Sequence, residues 1–475
     1  MSVPIFHSTR YMARSSFVKG ESSSSLGLAT NSEPLQGQAS FDFFRGYLRE
    51  ARPFAEGLLT IAQTARSRFH IPPAMLNRII LESDPVITSD ATHMRFESFS
   101  ACCGVYARLD VPKEAMDIEV ESKGTTNVDL GSDLRAALSR VRSGTGLELF
   151  ASPKRFGVDG GDGEVIERKV ALPARWVRGF LEVQALLPTL ERKHSLRGPA
   201  AARFLQGLPR TRSKGGLAMV PTPSGFRVTR PGSPSSFFVG APDRLALLEG
   251  LATSLLSLEV FAEAPKGGQP GFSAWMAELR GGLSLTLLLS AEVWRGLSGE
   301  GRALENLVRS SSAESASLGR VRGALQWQGN LDPEALADDL GLDRSIVDLA
   351  LAQLGASGLV GYDLLQKRYF HRVLPYDLKQ VDKLQPRLAD ARALVAEGAC
   401  QKVVDGEATD AEGKGQGTLV FVASRGQRYR VRINAGEGTC TCTWFAKHRN
   451  SRGLCKHILA AMLWLDAGES GCDHG

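Results

Sequence analysis

Long apolar runs, enzyme signatures and a disulfide framework are all missing from this sequence. The apolar stretch 283–289 is interrupted by Ser284 and Thr286, where a membrane-spanning helix needs roughly 18–20 apolar residues. A soluble chain without a membrane partner is expected. The seven cysteines include an adjacent pair, Cys102 and Cys103, and two isolated ones, Cys400 and Cys472. That spacing is not a disulfide framework, and a reducing cytoplasm is the expected compartment. No Gly-x-x-x-x-Gly-Lys-Ser/Thr phosphate loop, His-Glu-x-x-His helix or Gly-x-Ser-x-Gly elbow occurs, so no enzymatic activity is expected. Residues 159–164 are acidic like a calcium loop, yet their oxygens do not fall at alternate positions and no glutamate follows at the twelfth. They read as a hairpin turn. Charge of one sign is also scarce: 57 basic against 51 acidic residues give a formal net +6, too mild to select a partner class.

What the sequence does hold is Cys440-Thr-Cys442, twelve residues, and then Cys455-Lys-His457. Three thiols and one imidazole complete a tetrahedral shell, whereas hydrolytic zinc keeps a position open for water, so the expected ion is structural. Residues 429–433 alternate with period two, 434–438 form a turn, and 439–443 read as a second strand. Cys440 and Cys442, two apart on a strand, then share a face. Cys455 and His457 open the apolar run 458–465, which reads as a helix whose start favours a thiolate.

Cys-x-Cys, a spacer and Cys-x-His on a strand-strand-helix frame resemble the SWIM zinc finger over residues 415–467. The resemblance implies one structural Zn²⁺ held by Cys440, Cys442, Cys455 and His457. SWIM fingers bind nucleic acid or protein and accompany chromatin-remodelling ATPases and transposase-like proteins, so it also implies a binding role. Cys472 and His474 repeat the Cys-x-His spacing in a glycine-rich tail, 468–475, without a following helix. His448 sits in a spacer expected as a solvated loop.

The expected architecture is multidomain α+β. Residues 1–40, serine-rich and poor in groups to bury, are expected as a disordered extension. Arg10, Arg14 and Lys19 ahead of the first acid, Glu21, have the look of a transit peptide. The Arg-, Ala- and Gly-heavy composition reads as bacterial and favours a plain extension. Residues 41–307 read as one α+β domain, with one or two helices in 43–68 broken near Pro53 and strands at 93–99, 105–109, 147–150 and 165–170. Helical patterns are assigned to 173–189, 242–258 and 271–296, and a capped turn at 124–129 precedes a helix near 134–141. A linker with a helix, 377–414, leads to the finger.

Residues 316–376 resemble a winged helix. Asp332 caps a helix that starts with Pro333 and runs to Leu340, Asp343 caps a second to Leu354, and 359–362 with 368–374 read as wing strands. Between 331 and 360, Asp332, Glu334, Asp338, Asp339, Asp343 and Asp348 face the single base Arg344, a charge that repels phosphates. Lys367, Arg368, Arg372 and His371 restore some balance in the wing. The finger has the opposite sign, with Arg425, Arg428, Arg430, Arg432, Lys447, Arg449, Arg452 and Lys456 against Glu437. Arg428, Arg430 and Arg432 alternate onto one strand face and can track a phosphate backbone, and Trp444 can stack on a base. Packing of the aromatics beneath the metal and solvation of the arginines is the competing expectation.

Two roles follow as expectations. One is a non-enzymatic nucleic-acid-binding or regulatory module using Arg428, Arg430, Arg432, Lys447, Arg449, Arg452 and Trp444. The other is a protein-interaction adaptor, or a regulatory subunit of an ATPase-containing complex, whose finger binds protein.

Overall fold

A computed structural model describes residues 9–11, 16–19, 23–29, 44–70, 84–128, 130–144, 146–152, 168–170, 174–208, 216–229, 236–264, 271–308, 312–374, 385–403, 417–434, 437–450 and 452–469. The turn expected at 159–164 and the pair Cys472 and His474 lie outside them. No helix among the described residues is long and apolar enough to cross a membrane.

An eight-stranded antiparallel sheet forms the centre. Across it run Glu191–Arg197, Leu255–Ala262, Ser273–Leu279, Ser284–Leu289, Val105–Pro112, His93–Phe99, Val86–Ser89 and Gly124–Asn127. The strands expected at 93–99, 105–109 and 147–150 are present. The helix expected over 271–296 is instead two paired strands, joined through Gly281 and Gly282 at φ 76° and 78°. Both faces of these strands are covered, so they read as continuous apolar runs that periodicity alone cannot tell from a helix. The 242–258 pattern likewise splits into a 3₁₀ helix, Pro242–Leu251, and a strand. The polar string after residue 123 is an edge strand rather than a turn, its Thr125 hydroxyl 3.2 Å from that of Thr88.

On one face of this sheet lie the helix Ala51–Arg66 and, beyond it, a five-stranded sheet. Residues 44–48 form a strand, not the start of a helix, and Pro53 sits in the helix's first turn, where its missing N–H costs little. The expected disordered extension is also corrected. Ser23–Ala29 pairs in parallel with Gly146–Ser152, and Leu26 and Leu28 are fully buried in the main core. Two leucines at i and i+2 suffice to seat a strand, though the serines around them dilute the apolar signal along the chain.

The other face carries the helix Ala174–Leu186, whose Phe180 ring lies 4.9 Å from that of Phe99. Against it pack the helices Pro333–Leu340 and Arg344–Ala356 and the hairpin Val360–Asp363 with Arg368–His371. Asp332 caps as expected, accepting from Glu334 N at 3.1 Å. Arg372, just past the hairpin, turns inward, while Lys367 at its tip stays exposed. Arg372 Nη1 donates to Glu97 Oε1 at 2.5 Å with both side chains fully buried, and Tyr106 donates to the same oxygen at 2.6 Å. Beside them Arg108 donates to Asp110 at 2.8 Å and to the Tyr362 carbonyl at 2.7 Å. Arg95 pairs with Asp90 and Asp110 beneath the Phe370 ring, 3.7 Å from its centroid. His371 accepts from Trp327 N at 2.7 Å, and burial lowers its imidazole to about 4, so it is neutral at pH 7.

A third core belongs to the C-terminal unit. Its four-stranded sheet runs Cys400–Lys402, Thr418–Ser424, Gln427–Asn434 and Glu437–Cys440. The helices Pro386–Ala396 and Lys456–Glu469 pack with it, and Leu388, Ala391 and Leu394 share its core with Val420, Val422 and Ile458. Within the expected linker with a helix, 377–414, the described residues 386–402 hold that helix and a strand, and they are part of this unit's packing.

Candidate metal centre and the basic face around it

Cys440 ends the last strand, cross-strand from Val431. Cys442 lies just past it and caps the short helix Thr443–His448, where the sequence suggests a strand residue and a loop. Cys455 and His457 stand at the start of the helix Lys456–Glu469. These elements converge: one donor atom from each of Cys440, Cys442, Cys455 and His457 lies within 4.8 Å of the others, and all four residues are buried. Cys440 Sγ is 3.8 Å from His457 Nδ1, near the separation of about 3.6 Å that a Zn–S bond of ~2.3 Å and a Zn–N bond of ~2.0–2.1 Å set across a tetrahedral angle.

Each sulfur faces a backbone N–H group, and Cys455 is the one held as a thiolate, while burial pushes Cys442 up. Cys442 N–H points at Cys440 Sγ at 3.4 Å, Phe445 N–H at Cys442 Sγ at 3.4 Å, and Ile458 N–H at Cys455 Sγ at 3.5 Å. Cys455 is pulled down to about 4, chiefly because the Cys440 thiol donates to it, with burial opposing; the same bond pushes Cys440 up. A divalent cation replaces those shared protons, so the donor set fits one structural zinc. Without the ion, three clustered thiols have no comparable reason to be buried together.

The supporting residues explain how the ligands are held. Tyr429 stacks on the His457 imidazole, ring centroids 4.1 Å apart at 19°. His457 Nε2 is buried without a hydrogen-bond partner, so this stacking rather than a second hydrogen bond orients the ring. Arg387 Nη1 donates to the carbonyls of Arg452 and Leu454 at 2.8 and 2.9 Å, fixing the turn that delivers Cys455. Gly438 allows the helix to approach the strand, since a Cβ there would stand 2.4 Å from Ile458 Cγ2.

The basic residues separate into three places. Val431 and Tyr429 face the metal side, so Arg428, Arg430 and Arg432 occupy the opposite face of the sheet, with Arg428 and Arg430 exposed and Arg432 half-buried. Lys447 and Arg449 are exposed at the end of the short helix. Arg452 and Trp444 go elsewhere, into the junction with the rest of the chain. The Trp444 ring is half-buried between the guanidinium groups of Arg387 at 4.8 Å and Arg452 at 5.4 Å, and packs on His448 at 4.6 Å. Arg452 also lies 5.9 Å from the Trp294 ring. His448 stands outside the ligand cluster.

Tyr429, Arg387 and Phe421 were missed as functional positions by sequence reasoning. Phe421 lies in the strand Thr418–Ser424, directly across from Arg430. Its apolar run followed by Arg425-Gly426 was a readable hairpin signal.

Residues 429–463 match the SWIM zinc finger family. The chain therefore carries a SWIM zinc finger, whose motif positions are the four clustered residues. No curated protein matches the chain. Among solved structures, it is similar to the proliferating cellular nuclear antigen of Entamoeba histolytica at 12% identity, covering 53% of this chain and 99% of that one with a TM-score of 0.33. A PCNA2–PCNA3 complex from Sulfolobus tokodaii matches at 9% identity, 52% and 98% coverage and a TM-score of 0.30. The structure of the C-terminal region of FEN-1 bound to A. fulgidus PCNA matches at 12% identity, 52% and 97% coverage and a TM-score of 0.29. Likeness at this level carries no argument about fold or partners.

Proposed function

We propose that the zinc-held C-terminal unit is a nucleic-acid-binding module and that the zinc is structural, with no catalytic role. The observation that carries this reading is the row Arg428, Arg430 and Arg432 on the sheet face turned away from the metal, on a strand pair, 418–424 with 427–434, that contains no acid. Affinity for nucleic acid rests largely on neutralising phosphates, and arginine's planar fork matches them. Lys447 and Arg449 extend the positive field from a second surface.

The winged-helix-like elements at 333–371 have a different role in this reading. Glu334, Asp338, Asp339 and Asp343 are exposed on their helices, and the hairpin cation Arg372 is consumed by Glu97. An acidic exposed surface favours a protein partner with basic residues, and this supports an adaptor or regulatory role for that region, such as in an ATPase-containing complex. None of the described cysteines is in a disulfide, in keeping with a cytoplasmic location.

The test is fluorescence anisotropy with the zinc-loaded full chain and labelled oligonucleotides across a range of salt concentrations. Log affinity is expected to fall linearly with log salt, with a slope near −0.7 to −0.9 for each phosphate contacted. Absence of binding, or an affinity indifferent to salt, overturns the reading.

A further inference from the structure

The helices Pro386–Ala396 and Lys456–Glu469 pack on one face of the C-terminal unit's sheet, among Val420, Val422, Val431 and Cys440. Strand alternation then puts Phe421, Arg428, Arg430, Arg432 and Thr439 on the other face. The register places Phe421 between Gln401 on one neighbouring strand and Arg430 on the other, and Arg432 opposite Thr439. An aromatic ring thus stands on an inner strand of the sheet, half-buried, with the Arg428 guanidinium 4.6 Å from its centroid and in contact with the Gln401 amide oxygen at 3.1 Å.

We propose that this face is a stacking platform for single-stranded nucleic acid, with a base resting on Phe421 and the backbone following Arg428, Arg430 and Arg432. The inference rests on the functional reading above and deepens it by naming the ligand's form.

Shape decides against a duplex at this face. Four strands at about 4.8 Å spacing span about 14 Å between the outer strand axes. The major groove of B-DNA is only ~12 Å wide and admits a helix or a two-stranded ribbon. A broad sheet reaches duplex phosphates only at its rim and leaves Phe421 unused, because duplex bases keep their faces within the stack. An unpaired base offers that face, and the combination of an aromatic platform with flanking cations is how sequence-tolerant single-strand sites work. The guanidinium resting on Phe421 keeps the ring from lying bare in the free protein and moves to a phosphate as the base takes its place.

The experiment compares anisotropy of labelled oligo-dT, oligo-U and a mixed-sequence DNA duplex, using the zinc-loaded full chain and its Phe421→Leu and Phe421→Tyr variants. Leucine keeps the apolar bulk and removes the π face, and zinc content with thermal melting establishes that each variant is folded. Expected is single-strand affinity at least tenfold above duplex, with either sugar supporting the platform. Phe421→Leu is expected to weaken single-strand binding by roughly five- to hundredfold, the loss of one stacking contact, and Phe421→Tyr to retain it. Salt-dependent binding in which Phe421→Leu changes nothing, or in which the duplex binds as well as the single strands, overturns the platform while leaving a nucleic-acid module standing. No binding of any probe overturns the functional reading itself.

Discussion

The hairpin at 360–371 and the finger strands at 418–434 both look basic on paper, and they meet opposite fates. In the hairpin region Arg372 is fully buried against Glu97, His371 is buried and neutral, Arg368 pairs with Asp332 at 2.6 Å, and Lys367 alone of these stays fully at the surface. In the finger Arg428 and Arg430 remain at the surface. The cause is what each segment packs against. The central sheet offers Arg372 the buried Glu97 and the neighbouring helix offers Arg368 its cap Asp332, whereas the helices Pro386–Ala396 and Lys456–Glu469 pack on the inner face of the finger's sheet and leave the outer one uncovered by them. Formal charge in a sequence window therefore overstates the field that a partner meets wherever the window docks onto acids.

Substitutions in both regions sharpen this contrast, beginning with the largest effect. Cys455→Ser or His457→Ala is expected to take metal content from about one zinc per chain to none and to unfold the C-terminal unit, because ligation and folding are coupled. Metal analysis with hydrogen exchange over 385–469 checks it, and full zinc retention in both variants means that the ligands are misassigned. Next, Arg372→Ala leaves Glu97 charged and buried, and a loss of about 3–5 kcal/mol is expected in urea denaturation. Glu97→Gln in the same background restores part of it.

A smaller effect concerns pH. Glu182 is buried and accepts from Arg302 N and Ala303 N at 2.6 and 3.1 Å, capping the helix Ala303–Val308. Burial raises it to about 7 against an ordinary 4.5, with those N–H groups opposing, and Glu300 is raised to about 7 as well, mainly by burial. The folded state thus holds these protons after the unfolded chain has released them. Their contribution is complete below about pH 4.5 and is lost as pH rises through 7, at about 1.4 kcal/mol per unit per group. His371, depressed by burial, works in the opposite direction at lower pH. The informative quantity is therefore the difference between wild type and Glu182→Gln, whose neutral amide is expected to remove the Glu182 share of the fall between pH 5 and 7 and leave that of Glu300.

The metal centre was legible because it depends on donor chemistry at short spacing: Cys440, Cys442, Cys455 and His457 are all within the cluster. The cap Asp332 and the first-turn Pro333 were legible for the same local reason, whereas Asp343, expected to cap the next helix, holds the N-cap position without a side-chain cap bond. What escaped depended on distant partners. The strands at 273–279 and 284–289 are buried on both faces, so the alternation that marks a half-exposed strand is absent. The strand containing Leu26 and Leu28 exists through pairing with residues more than a hundred positions later. Trp444 has the composition of a base-stacking residue, but Arg387, from a helix outside the motif, covers it.

The most direct measurement sets the two basic regions side by side. Arg428→Ala with Arg430→Ala, and separately Lys367→Ala with Arg368→Ala, are titrated with one labelled single strand at fixed salt, each protein fully zinc-loaded. The finger pair is expected to lose at least tenfold in affinity and to flatten the salt slope by about one to two units, while the hairpin pair stays within twofold. A larger loss in the hairpin pair, with the finger pair unchanged, would contradict the assignment of the nucleic-acid surface to the finger.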